Sequence, residues 1–456
     1  MKPKFCLSSF SVTLFSIVIL ANATLIIGCA DSALTAEEEA VAATDTALET
    51  NRFTKLRNAH RLDETLPSAG KKKKSSLAPT YVSVIIGMDE DIVEADRLIG
   101  RHRLIGRHRL IGRHDYDEVF YGLAAEIDQE RLQQFLQDAQ NDSDIDWVEL
   151  DLPFVELPGM VKGKKAPKNQ VVPWGIDRIG AADDDDDGEG IDIYILDSGV
   201  YDRDMNLVEN LDFIDDDQGA TIKANKKNQD VLGHGTMVVS IAAAEDDSDD
   251  LVGVAPGARI HNWKVLGDDG TADSATPIAA LDALVKRKQA DPTQPIVANL
   301  SFGADTGSTE YGALDEAVQA AIDAGIVVVV SAGNLGIDAS TVTPAHVEDA
   351  ITVGAYDVLN AFASFSNHGP VVDLLAPGVD ILSISNDKKH KSQHVLMTGT
   401  SFAAPHVAGA AALYLSENPS ATPAEVRDAL VAAGQDIVWA APAGTTTRSV
   451  WVGDDD

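Results

Sequence analysis

Cysteine is almost absent from this chain: 456 residues contain two, Cys6 and Cys29, both near the N-terminus. Beyond them no disulfide, thiolate nucleophile or zinc-thiolate site can form, which excludes a cysteine protease. Aromatic residues are also scarce, at 5% of the chain, and positive charge is outnumbered, with 36 Lys and Arg against 72 Asp and Glu and a formal charge of −36. A field of that sign repels nucleic acid and anionic membrane, so no nucleic-acid partner is expected; it favours solubility and is silent about fold. Residues 170–456 carry 15 Lys and Arg against 46 Asp and Glu, so nearly all of the excess lies there. What the chain does have is 45% apolar residues and 35 glycines, the composition of an Ala- and Val-rich α/β protein with tight turns.

Lys2 and Lys4 precede an apolar run from Phe10 to Ile27, the pattern of a secretory signal, assigned to residues 1–29. Ile26-Ile27-Gly28-Cys29 resembles the lipobox of bacterial lipoproteins, in which the cysteine is lipidated. Cleavage after Ala23 and an uncleaved anchor are the alternatives. The expected location is extracytoplasmic, either secreted or held to the cell envelope through Cys29. Residues 30–77, ending in a lysine run, show no sustained apolar period and read as a linker.

From residue 78 to 155 the pattern changes. Strand candidates at Tyr81–Ile86, Phe120–Ala125 and Asp146–Leu150 frame an amphipathic helix from Asp128 to Ala139, a small α+β unit. Within it Arg-Leu-Ile-Gly-Arg-His occurs three times in tandem, at 97–102, 103–108 and 109–114. Three hexads are too few for a β-helix and read as a duplicated loop or helix. Residues 156–171 form a second linker. In 172–456 apolar strands at 192–196, 261–266, 296–300, 326–330 and 351–355 alternate with helical segments, which predicts a doubly wound parallel sheet with α/β class. Ligands in such sheets bind beyond the carboxyl ends of the strands.

Three polar residues fall where that geometry gathers chemistry. Asp197 follows the first of these strands, His234 stands between Gly233 and Gly235 before a helical stretch, and Ser401 follows Gly399-Thr400 at the start of another. A neutral serine hydroxyl is a poor nucleophile; a histidine must take its proton and a buried carboxylate must orient that histidine and stabilise its charge. At a helix N-terminus the Ser401 N–H is free to face a developing oxyanion. Asn334, at the end of the Ile326–Val330 strand, supplies a second oxyanion donor.

Asp197-Ser198-Gly199, His234-Gly235-Thr236, Ser331-Ala332-Gly333-Asn334 and Gly399-Thr400-Ser401-Phe402-Ala403-Ala404-Pro405-His406 resemble the four signatures of the subtilisin-like serine proteases, in particular the proteinase K branch. Pro173-Trp174-Gly175-Ile176-Asp177-Arg178-Ile179 resembles the start of the mature enzyme, so the resemblance runs from about Val172 to Val438. Met237 and Phe402 depart from the usual pattern without removing a catalytic group. The resemblance implies a serine endopeptidase, a hydrolase acting through an acyl-enzyme, with Ser301, Phe302 and Gly303 on one wall of the specificity pocket and Ser331, Ala332 and Gly333 on the other. It implies that 78–155 is an inhibitory propeptide, making the protein a self-processing zymogen inhibited by its own N-terminal part.

Small glycines in the walls and no acid evident between them point to an uncharged substrate side chain. His406 and His368 read as structural. No cofactor is required for the chemistry; calcium is expected at most as a structural stabiliser, with Asp183–Asp187, Asp215–Asp217 and Asp246–Asp250 as acidic stretches of no diagnostic spacing. The expected partners are protein or peptide substrates, and the expected state is a monomer. A binding module held inhibited by its propeptide and a protease dedicated to maturing one exported peptide are the rival readings.

Overall fold

The computed structural model describes residues 55–57, 81–88, 103–151, 153–155, 164–165, 170–183, 186–214, 223–224, 230–247, 250–384 and 393–453. The signal segment, Cys29, the first hexad and Asp215–Asp217 lie outside the described residues. No helix among those described is long and apolar enough to cross a membrane.

The N-terminal unit is built from β1 (Leu56–Arg57), β2 (Tyr81–Met88), α1 (Arg103–His108), β3 (Ile111–Tyr116), β4 (Gly122–Asp128), α2 (Gln129–Gln140) and β5 (Ile145–Leu150). Its sheet has the order β1-β5-β2-β4-β3, antiparallel except for β1 beside β5. Alternation along the strands divides it into two faces. Val84, Ile86, Leu123, Ala125, Ile127 and Val148 pack with Leu132, Phe135 and Leu136 of α2. Ile85, Tyr116 and Ala124 point the other way and join the core of the larger unit. β1 falls in what the sequence reads as linker; two residues at a sheet edge are too few to make a period. The hexads also part from expectation, since the second is α1 while most of the third is β3.

After β6 (Pro153–Val155), β7 (Lys164–Lys165) and the short helix α3 (Trp174–Arg178) come β8 (Asp192–Asp197), β9 (Leu207–Asp212), β10 (Lys223–Ala224), α4 (His234–Ala243), β11 (Arg259–Lys264), β12 (Thr271–Asp273), α5 (Ala275–Ala290), β13 (Ile296–Leu300), β14 (Ala304–Asp305), α6 (Ala313–Asp323), β15 (Val327–Ser331), β16 (Val342–Thr343), β17 (Ile351–Tyr356) and β18 (Leu374–Pro377). The chain closes with β19 (Ile381–Ile384), β20 (Gln393–Met397), α7 (Thr400–Glu417), α8 (Pro423–Ala433), β21 (Gln435–Asp436) and β22 (Arg448–Ser449).

The strand order β10-β9-β11-β8-β13-β15-β17-β18-β22-β21 is parallel except at its two edges. The winding reverses between β8 and β13, the switch point where such sheets open a crevice at the carboxyl ends of their strands. β8, β13, β15 and β17 are buried along their whole lengths, as strands covered on both faces must be. Ile193, Ile195, Val327 and Val329 face a core shared with α4 and α7, and Tyr194, Leu196, Val328 and Val330 face one shared with α5 and α6. α7 reaches the middle of the sheet because Ala403, Ala404, Ala408 and Ala410 to Ala412 present almost no side-chain bulk; all are fully buried.

The two units meet through helix ends. Ser274 and Gly312, the residues that cap α5 and α6, place no side chain on their own helices' free N–H groups. Asp151 accepts from Ser274 N–H at 2.7 Å and Glu149 from Ala313 N–H at 2.8 Å, so carboxylates of the N-terminal unit sit where the helix dipoles are positive. In return Asp282 of α5 accepts from the N–H groups of Asp117, Glu118 and Val119. Arg113 is shared by Asp151 and Asp273, and Tyr116 Oη–H donates to Ala275 O at 3.1 Å.

Candidate active site

Asp197 is the last residue of β8, beside the switch point, and is fully buried. Its Oδ1 accepts from Ser198 N–H at 2.6 Å and from His234 Nδ1–H at 2.8 Å. His234 opens α4 because Gly233 turns the chain at φ 96°, in the left-handed region that favours glycine. Gly235 has a different reason: a Cβ there would lie 2.1 Å from Gly199 O, so only glycine lets the helix start approach the strand end. The imidazole is 2% exposed. With Nδ1–H given to the carboxylate, Nε2 is the basic nitrogen, and it is buried with no hydrogen-bond partner.

Ser401 is the second residue of α7, where its N–H has no acceptor within the helix. The next residue, Phe402, places its ring 5.3 Å from that of His234. Pro405 has no N–H to give to the carbonyl four residues back, and that carbonyl belongs to Ser401. Ser301 Oγ–H takes it at 2.9 Å, while Ser401 Oγ–H donates to Ser301 O at 3.1 Å. Two serines thus hold the end of β13 against the start of α7, and Asn299 Nδ2 fixes Ser301 Oγ from behind at 2.9 Å. In this state the nucleophilic oxygen is turned to Ser301 O, and His234 Nε2 has no hydrogen-bond partner.

Asn334 follows β15. Its Oδ1 accepts from Thr400 N–H at 2.8 Å and Thr400 Oγ1–H at 3.0 Å, so Nδ2 is the end left to donate. The loop around it is held by Asn367, which the sequence did not reveal: buried, it donates to Ala332 O and accepts from Leu335 and Ile337 N–H. Ser401 and Asn334 share a small pocket with Phe302, Gly303, Ser331 and Gly333. Of the residues expected to form the two walls, Phe302, Gly303, Ser331 and Gly333 line this pocket, whereas Ser301 and Ala332 are fully buried and do not. Val342 lies between the two walls, its Cγ1 3.6 Å and 3.7 Å from where Cβ atoms on Gly303 and Gly333 would stand. Asp305 also borders the pocket; it is exposed, lies on β14 two residues beyond Gly303 and paired with β16, and its Oδ1 accepts from Gly307 N–H and Thr341 Oγ1–H.

β6 runs antiparallel to β12, Thr271 opposite Val155 and Asp273 opposite Pro153. This edge, too short to stand out in sequence, gives an extended segment a strand to pair with beside the pocket. His406 is fully buried, its Nδ1–H on Phe402 O at 2.8 Å and burial holding its pKa down to about 4. Its Nε2 stands 2.4 Å from where a Cβ on Gly175 would be, so glycine there makes room for the ring. Among the described residues no three acidic, histidine or cysteine side chains gather as a metal site. Within the acidic stretch Asp246–Asp250, Asp250 pairs with Arg203 and His394.

A buried carboxylate on a histidine, a serine at a helix start and an amide donor at a neighbouring strand end define a serine-hydrolase type of centre. A family model described as the subtilase family matches residues 188–447. The chain belongs to the subtilase family. It is 33% identical over 328 residues to the alkaline serine exoprotease A of Vibrio alginolyticus, covering 69% of this chain and 55% of that one. The extracellular serine proteinase of a Thermus species is 33% identical over 324 residues, covering 69% and 71%. Measured against the first three relatives, the chain spans between 55% and 62% of their length. Among solved structures a cold adapted subtilisin-like serine proteinase superposes with a TM-score of 0.53 at 32% identity, over 62% of this chain and 98% of that one.

Proposed function

We propose that this protein is an exported serine endopeptidase, made as a zymogen whose N-terminal unit occupies its own substrate track. The observation that carries the reading is the buried His234–Asp197 pair at 2.8 Å, with Nε2 unpartnered, set against Ser401. Ser401 Oγ attacks the peptide carbonyl as His234 Nε2 takes its proton. Asp197 holds the ring's tautomer and stabilises the imidazolium. Asn334 Nδ2 and the Ser401 N–H hold the oxyanion. His234 then gives its proton to the leaving amine, and a water molecule, activated the same way, releases the acyl group.

The zymogen reading is supported by the pairing of β6 with β12 and by the carboxylates that dock Glu149 and Asp151 on α6 and α5. Export rests on the N-terminal signal pattern, with lipidation at Cys29 or free secretion as its two outcomes. Casein hydrolysis by the purified protein tests the activity. Wild type should hydrolyse casein and shed its N-terminal unit, whereas Ser401→Ala should do neither in a protease-free host. An inactive wild type whose Ser401 does not react with a fluorophosphonate would leave a binding module as the better reading.

A further inference from the structure

α4 carries His234 but begins without a side-chain cap of its own, because its capping residue is Gly233. Its free N–H groups are satisfied from outside. Asp230 Oδ1 accepts from Gly233 N–H at 2.6 Å, and Oδ2 from Thr236 N–H at 2.9 Å and Thr236 Oγ1–H at 2.5 Å. The N–H of Gly235 goes to Ser198 Oγ at 3.0 Å. Ser198 in turn gives its O–H to Asp230 Oδ1 at 2.9 Å and its N–H to Asp197 Oδ1 at 2.6 Å. One serine thus touches both buried carboxylates, and the carboxylate of Asp230 grips the start of the histidine helix.

We propose that Ser198 and Asp230 form a positioning latch that registers α4 against the end of β8 and so holds His234 on Asp197. The inference rests on the peptidase reading of that pair. Neither side chain is open to substrate: Ser198 is fully buried and Asp230 is 3% exposed. The latch has four acceptor contacts on one carboxylate, so its loss shifts a helix start rather than a single side chain. Misplacement of a catalytic group by about 1 Å costs on the order of 100-fold in rate. None of the residues that line the pocket beside Ser401 lies on α4. The latch therefore acts on kcat and leaves KM alone.

The test is Ser198→Ala, which removes one hydroxyl and keeps Asp230, with Asp230→Ala as the stronger cut. On a chromogenic peptide Ser198→Ala should lower kcat about tenfold with KM within about twofold of wild type, and Asp230→Ala should lower kcat by about 100-fold. A second reading needs no turnover. In the Ser401→Ala full chain, the far-downfield proton resonance of His234 Nδ1–H should move upfield or broaden when Ser198→Ala is added, at an unchanged circular dichroism spectrum. Unchanged kcat in Ser198→Ala, a loss carried by KM, or an unmoved Nδ1–H resonance would each overturn the latch. If Asp230→Ala does not fold, Ser198→Ala decides alone. A wild type that neither hydrolyses peptides nor labels at Ser401 overturns the peptidase reading and the latch with it; an active wild type with an unaltered Ser198→Ala overturns the latch only.

Discussion

The larger unit covers both faces of its sheet with its own helices, whereas the N-terminal unit covers only one. α4 and α7 lie on one side of the main sheet and α5 and α6 on the other. In the N-terminal unit α2 covers one side, and Ile85, Tyr116 and Ala124 on the other side are buried only because α5 and its neighbours supply the opposing surface. A small domain with half its apolar surface uncovered has little stability to draw on. The difference says which unit depends on the other: the N-terminal unit is completed by the larger one, and its docking places β6 beside the pocket.

The comparison breaks most visibly through chemistry confined to one unit. Asn334→Ala should lower kcat by about 100-fold to 1000-fold, a magnitude known from subtilisin itself rather than derived from this chain. Differential scanning calorimetry should find any loss of melting confined to the larger unit, where Thr400 gives up two hydrogen bonds to Asn334 Oδ1, a cost of about 1–3 kcal/mol. Next in size, the N-terminal unit expressed alone as residues 55–155 should show no cooperative thermal transition by circular dichroism, and should gain one when mixed with the mature Ser401→Ala larger unit. A sharp transition in isolation would contradict the dependence argued above.

Smaller still is Tyr116→Ala, which empties a fully buried site between the units. By analogy with other aromatic truncations it should cost about 3 kcal/mol or more of docking stability, read from the urea midpoint of the Ser401→Ala full chain. Two groups then offer a pH test of opposite signs. Burial pushes Glu149 up to about 7, so the docked state holds more protons than the free one and docking weakens as pH rises from about 4.5 to 7. Burial and the Arg113 charge hold His114 down to about 4, so docking weakens as pH falls from about 6.5 towards 4. Relative to wild type, Glu149→Gln should gain melting temperature towards pH 7, and His114→Phe should gain it towards pH 4. A variant-minus-wild-type difference independent of pH would remove these residues as the cause.

Much of the larger unit was legible in sequence because its strands are continuous apolar runs and its chemistry sits at their ends. Asp197, His234, Asn334 and Ser401 each stand at an element boundary marked by glycine or by the end of a run, and the structure brings them to one edge of the sheet. Residues that work through three-dimensional pairing left no such mark. Asp230 precedes Gly233 in an unremarkable loop, Asn367 looks like one more turn residue, and Asp305 borders the pocket only because β14 folds back on β16. β12 is three residues long, and its use depends on what lies beside it.

The hexads separate the two kinds of information. Their sequence by itself settled only that the copies are identical; the structure shows that both described copies bury the same letters, Leu104 with Leu110 and His108 with His114. The sequence did not settle secondary structure. Arg103–His108 is a helix whose histidine reaches Asp138 at 2.9 Å and packs its ring on Phe135. After a left-handed turn at Arg109, the same letters enter a strand whose histidine stacks on Tyr116. Six residues with no strong period hold too little local energy to choose between helix and strand, so the choice passes to what each copy can pair with: α2 for the first, β4 and the larger unit for the second. The order of Asp, His and Ser was likewise written in the chain, but their meeting was decided by a parallel sheet that reverses its winding between β8 and β13 and carries all three to the same edge.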